Sequence, residues 1–150
     1  MAKNMLSFRE KNVVLVVHTA QAPSDAEWDA CMALLRDVPP ADVSIFVATD
    51  GGAPNAKQRA ALKAYQEGAE PRIAVLATSR AVRSVVTAIS WFNKQIVAFP
   101  PQEIDRAFDH VRFAAEERRG WLSRVQRLAR GLDAPSESLR QAVDAVRPTA

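Results

Sequence analysis

Apolar positions along the chain fall into two alternating periods. Met5-Leu6-Ser7-Phe8 and Asn12 to His18 are rich in strand formers, and a short polar link, Arg9-Glu10-Lys11-Asn12, joins them. This pattern predicts a β-hairpin, although the link has no glycine. Trp28, Cys31, Met32 and Leu35 then recur at helical spacing, the stripe of an amphipathic helix. Ser24 and Glu27 predict its capping box, and Pro39-Pro40 its end.

Asp42 to Ala48 predicts a strand with Val43, Ile45 and Val47 on one face and Phe46 and Ala48 on the other. A helix is expected from Pro54 to Gly68, with Pro54 in its first turn. A strand follows over Arg72 to Ala77, a helix over Ser79 to Phe92, and a last strand over Gln95 to Phe99. Beyond Pro100-Pro101 the spacing is helical throughout. Ile104, Phe108, Val111 and Ala115 keep one stripe. Gly120 is expected to interrupt it before Leu122, Val125 and Leu128 resume. Leu139, Ala142, Val143 and Val146 predict a short final helix, and Pro148-Thr149-Ala150 a frayed end.

Strands alternating with helices predict a single α/β domain: a mixed, mainly parallel sheet that starts with the hairpin, helices packed on it, and extra C-terminal helices. The expected division is an α/β domain over residues 1–115 and a helical extension over 116–150. Val43, Ile45, Val47, Ile73, Val75, Val85, Val86 and Ile89 are the expected core.

Composition narrows the class. The chain has 150 residues, 48% apolar and 25% charged, ordinary values for a globular protein able to bury its own core. Its single cysteine, Cys31, cannot form an internal bridge, and no export signal is evident, so a reducing cytoplasm is expected. The longest apolar run, Val13 to Val17, is far below membrane-spanning length. A formal charge of +3 with scattered arginines and one tyrosine does not call for nucleic acid.

Candidate chemistry gathers at two turns. After the Val43 strand the chain reads Thr49-Asp50-Gly51-Gly52. Its glycines permit positive φ and close approach of a ligand, and the following helix offers free N–H groups to an anion. Yet no phosphate-binding glycine motif is present, and Asp50 repels phosphate. The commonest use of such residues is a tight turn whose aspartate caps the next helix, and this is the expectation. After Ala77 comes Thr78-Ser79-Arg80, where the hydroxyls can cap a helix and Arg80 can clamp an anion. Right-handed crossovers would set both turns on one sheet edge. A phospho-accepting receiver is excluded: no acidic pair follows Val17, and no lysine follows Phe99.

His18, at a strand end, is a candidate base, but no nucleophile stands at usable spacing. Cys31 reads as core, and His110 as a solvated helix residue. Two histidines and one cysteine at unrelated spacings make no metal site. Glu116-Glu117-Arg118-Arg119 reads as a solvated face laced with ion pairs. Arg118, Arg119, Arg124, Arg127 and Arg130 surround an apolar stripe. Such a helix either binds a partner groove or membrane surface, or docks on its own sheet with arginines outward. The second is expected, with Trp121, Arg124 and Arg127 left to touch a partner.

The hairpin, the Val43 to Ala48 strand with its Thr-Asp-Gly-Gly turn, and the block from Arg72-Ile73-Ala74-Val75-Leu76-Ala77 through Ser90-Trp91-Phe92 to Ile96-Val97-Ala98-Phe99 together resemble the STAS domain family. That is the fold of bacterial anti-sigma-factor antagonists, and the closest likeness is to the SpoIIAA-like branch. It covers about Met5 to Val111. The resemblance implies a non-enzymatic module that acts by binding protein partners, without a cofactor. In the antagonists a serine within a motif like Asp-Ser-Ser-Gly is phosphorylated. Here the corresponding turn has no serine, and Thr49 is its nearest hydroxyl. A homo-oligomer is compatible with this reading. The alternative is a small-molecule or nucleotide binder using the turns at Asp50 and Ser79.

Overall fold

A computed structural model describes residues 2–89 and 93–146, with the side chains at 81, 85, 88 and 89 outside the description. The expectations for Val85, Ile89, Ser90-Trp91-Phe92 and Pro148-Thr149-Ala150 lie outside the described residues.

The hairpin forms without glycine. Strand β1 (Met5–Glu10) pairs antiparallel with β2 (Val13–His18), and Glu10 lies opposite Val13. The turn between them is only Lys11-Asn12: the first strand runs two residues further than expected, to Glu10, and the second begins at Val13 rather than Asn12. Lys11 takes φ 55°, the left-handed region. Side chains hold it there: Arg9 Nε donates to the Lys11 carbonyl at 2.6 Å, and Asn12 Nδ2 to that of Asp42 at 2.8 Å.

Helix α1 (Asp25–Leu35) begins at the Ser24–Glu27 capping box. Glu27 does more than cap. Its Oε2 accepts the N–H groups of Asn4 and Met5 at 2.9 and 2.8 Å, fastening the helix start to the start of β1. Partial burial tends to raise the Glu27 pKa, but the backbone bonds from Ser24, Met5 and Asn4 outweigh it and hold the carboxyl below its usual range.

The parallel part follows as β3 (Ser44–Thr49), α2 (Ala56–Tyr65), β4 (Arg72–Ala77), α3 (Arg80–Ile89) and β5 (Ile96–Phe99). The strands lie in sequence order across the sheet, β1-β2-β3-β4-β5, with every pair after the hairpin parallel. Crossovers of one hand between neighbouring strands put their helices on one side. Accordingly Trp28 and Leu35 of α1, Leu62 of α2 and Val82 of α3 meet Val16, Ile45, Ile73 and Ile96 on a single face.

That leaves the opposite face bare, and the C-terminal third of the chain covers it. Helices α4 (Ile104–His110), α5 (Arg118–Ala129) and α6 (Glu137–Val146) pack there on Leu15, Val17, Phe46 and Leu76. Residues beyond 115 share one apolar cluster with the strands. Phe46 lies 5.1 Å from Phe108, Phe108 5.4 Å from Phe113, and Phe113 stacks on Trp121 at 4.8 Å.

Several local expectations are corrected. The helix at Ile104 stops at His110, and Arg112 takes φ 61°, so Ala115 does not continue its stripe. Gly120 does not interrupt: it lies in the first turn of α5, where intrahelical N–H partners are not yet needed. The buried stripe of α5 is Trp121, Val125 and Ala129, while Leu122 and Leu128 flank it half-buried. Val125 is common to both stripes; the buried one runs at i, i+4, i+8 instead of i, i+3, i+6.

Candidate functional site

The two predicted turns are neighbours. Thr49 pairs with Ala77, so Asp50 and Thr78 leave adjacent parallel strands at the same edge. Their polar groups, however, face inward on the protein's own chain. Thr49 is buried; its Oγ1 accepts the Gly51 N–H at 3.2 Å and donates to the Gly52 carbonyl at 3.3 Å. Gly51 has φ 127°, which favours glycine. Gly52 is needed for space: a β-carbon there would lie 2.2 Å from the Gln21 carbonyl oxygen and 2.7 Å from that of Thr19. The close approach expected of a ligand is made instead by the 19–21 loop, to which Gly52 N–H donates at 2.9 Å through the Thr19 carbonyl.

Asp50 does not cap the helix that follows it. Asn55 does, in a capping box with Gln58, and Pro54 lies before the helix rather than in its first turn. Asp50 instead accepts the N–H groups of Glu137 at 2.8 Å and Ser138 at 2.9 Å, so it caps α6. Its carboxylate also meets the positive end of that helix dipole.

At the second turn Thr78 and Ser79 are half-buried and Arg80 is exposed. The arginine that grips this turn is Arg83, whose Nη1 donates to the Ala77 and Thr78 carbonyls at 2.7 and 3.0 Å. Sequence spacing did not single it out, because the target is backbone.

His18 is buried at the end of β2, opposite Thr49. Desolvation lowers its pKa to about 4, against a smaller upward pull from the Glu27 charge, so the ring is neutral near pH 7. Burial likewise raises the Cys31 thiol to about 11, with a Ser7 hydrogen bond opposing. A thiol held protonated is no nucleophile. His110 is tied to the sheet, not solvated: its Nε2 lies 2.6 Å from the Gln95 carbonyl oxygen. Among the described residues no cluster of His, Cys, Asp and Glu could hold a metal.

On the opposite face, Trp121 is in the core, not free for a partner. Arg124 lies over its ring at 4.6 Å and pairs with Glu10 at 3.0 Å, while Arg127 is exposed. Arg118 pairs with Asp105 and Asp109 of α4 rather than with neighbours on its own helix.

One feature had no sequence signal. On the side of α1–α3 a cleft of about 1020 Å³ opens over Val16, Ile45, Val47, Ile73, Val75 and Ile96. Val47 and Val86, expected in the core, are only half-buried because they line it. His18 and Trp28 also line it, and His18 Nδ1 and Trp28 Nε1 are shielded from water without a hydrogen-bond partner. No helix among the described residues is long and apolar enough to cross a membrane.

Compared with protein-family models, curated proteins and solved structures, the chain matches none of them.

Proposed function

We propose that this protein is a non-enzymatic, STAS-like module of bacterial regulation that works in the cytoplasm by binding a protein partner. The observation that carries this reading is the use of the carboxyl-edge turns. In an open α/β sheet that edge is where ligands and chemistry gather. Here Thr49, Asp50, Gly51 and Gly52 spend their polar and conformational capacity on internal contacts. His18 and Cys31, the side chains suited to base and nucleophile, are buried, and desolvation leaves the imidazole a weak base and the thiol protonated. Among the described residues of these turns and of α3, Arg80 and Ser84 are exposed and face outward. This is a surface for recognition. With Thr49 buried and bonded, regulation through this module does not need its phosphorylation.

The test is affinity capture from the host with the full chain and with Arg80→Glu. A partner retained by the first and lost by the second, at equal melting temperature, supports the reading. A partner held equally by both, or none, removes Arg80 and this edge from it. A second reading, a small-molecule binder, draws support from the apolar cleft rather than from Asp50 and Ser79.

A further inference from the structure

The two edges of the sheet end differently. β5 is four residues long and runs straight into Pro100 and Pro101, a short edge that proline keeps from pairing further. β1 is six residues long, has no proline, and skips no residue in its register against β2. Among the described residues no strand lies beyond it. Along an antiparallel pair the backbone groups point by turns to the partner and away from it. The Asn4 carbonyl accepts from Thr19 N–H, just past β2, and Met5 N–H points the other way, to Glu27 at 2.8 Å. The alternation therefore turns the N–H and C=O groups of Ser7 and Arg9 outward. None of them has a hydrogen-bond partner among the described residues. A charged side chain can block such an edge, but Arg9 is turned to α1, where its Nη1 donates to the Leu34 carbonyl at 3.0 Å.

The flank of this edge carries one sign of charge. Leu6, Phe8 and Glu10 share the face toward α5. Leu6 Cδ1 lies 2.7 Å from where a β-carbon on Gly131 would be, and Glu10 pairs with Arg124 at 3.0 Å. Phe8 thus lies alongside the helix between these two points, and it is 43% exposed. No acidic residue occurs in α5. Glu10 answers Arg124, but Arg127 and Arg130 are exposed and have no ion pair among the described residues. The nearby acids are already engaged: Glu27 accepts the N–H groups of Asn4 and Met5, and Asp133 that of Lys3. A second copy does not suit this edge. Pairing β1 with itself would set α5 beside its own copy on the same face of the sheet, arginine against arginine.

We propose that the outer edge of β1 takes one extended acidic peptide segment of a partner protein as an added strand, hydrogen-bonded to Ser7 and Arg9, with an apolar side chain on Phe8 and carboxylates toward Arg127 and Arg130. In such strand addition the main chain supplies affinity and alternate side chains supply selectivity. The surface goes beyond the Arg80 reading and does not depend on it, since β1 and α3 lie at opposite ends of the sheet.

The full chain is titrated against the fluorescein-labelled peptide Glu-Val-Glu-Val-Phe-Val-Glu-Val-Glu, read by fluorescence anisotropy. Its valines would lie opposite Ser7 and Arg9, and its phenylalanine and glutamates would share the face of Phe8. Saturable binding at one peptide per chain is expected. It should weaken at least tenfold when lysines replace the glutamates, and likewise when the valine nitrogens are methylated. The amides of Ser7 and Arg9 should exchange fast in the free chain and slowly with peptide bound. Ser7→Pro removes an outward donor and leaves the ladder to β2 whole, and should abolish binding. Arg127→Glu combined with Arg130→Glu, both exposed, is the second variant in case the first fails to fold, and should lower affinity at least tenfold. Arg80→Glu should leave it unchanged, which separates this surface from the other. Absence of saturable binding, or binding untouched by methylation, overturns the added strand. Equal binding of the lysine peptide overturns the acidic partner. Slow Ser7 and Arg9 amides in the free chain, with a dimeric mass in light scattering, assign the edge to a second copy and overturn the proposal.

Discussion

The carboxylate of Asp50 receives the backbone N–H of Ser138 at 2.9 Å, across 88 positions of sequence. A turn residue placed to cap its own helix caps instead the last helix of the fold. The bond ties the edge of β3 to α6, and with it the two halves of the core on that side. Replacing Asp50 with alanine should lower stability by about 1–2 kcal/mol, the value of an N-cap with dipole support. Asp50→Asn, which keeps one acceptor oxygen, should lose less. Chemical denaturation measures both, and hydrogen exchange should show faster opening of α6 in the alanine variant. Unchanged exchange in α6 would contradict the cap.

Cutting the chain after residue 120 should remove cooperative folding. Val125 and Ala142 are wholly inaccessible, and Leu139 nearly so, all against the strands. Each aliphatic side chain as large as valine contributes about 1.5–3 kcal/mol when fully buried. Several such losses exceed much of the ~5–15 kcal/mol that holds a domain of this kind together. A truncated chain that still melts cooperatively at the parent temperature would show that α5 and α6 are dispensable.

Two glycines should respond oppositely to alanine. At Gly120, in the first turn of α5, a β-carbon would have nothing within 4 Å, so the change should stabilise by about 0.5–1 kcal/mol through helix propensity. At Gly52 the same atom would be driven into the Gln21 carbonyl. The 19–21 loop must move, and the melting temperature should fall by several degrees. Paired thermal melts decide it, and a Gly52→Ala melt equal to the parent's would refute the close approach.

Acid should weaken the fold through His18. Its folded pKa, about 4, lies below the ordinary 6.5, so the unfolded chain binds more protons between those values. Stability is therefore full above pH 6.5 and declines as pH falls toward 4. Between pH 7.5 and 5 the loss should be about 2 kcal/mol. Glu27, depressed from 4.5, acts in the same direction but only below that pH. His18→Phe should flatten the profile above pH 5, and a profile as steep as the parent's would assign the effect to another group.

The layered fold was legible in the sequence because its signals are local. Short apolar runs rich in β-branched residues at Val13–His18, Val43–Ala48 and Arg72–Ala77 marked the strands, and Ser24 with Glu27 the first cap. Backbone and side chain there choose their state within a few residues of sequence. The same locality misplaced the break at Gly120: helix propensity spoke for a stop there, but the chain breaks at Arg112 and Gly120 falls in the first turn of a new helix. Tertiary structure alone decided three things: that Asp50 serves α6, that the Arg-rich helix hides Trp121, and that α2 spans an open cleft. Each depends on which distant segment comes to lie beside a residue. A carboxylate, an indole or a valine carries no record of that in its own neighbourhood. The sequence by itself therefore determined the elements and the faces they bury; the closing of the chain determined which groups those faces meet, and so where a ligand or a partner finds room.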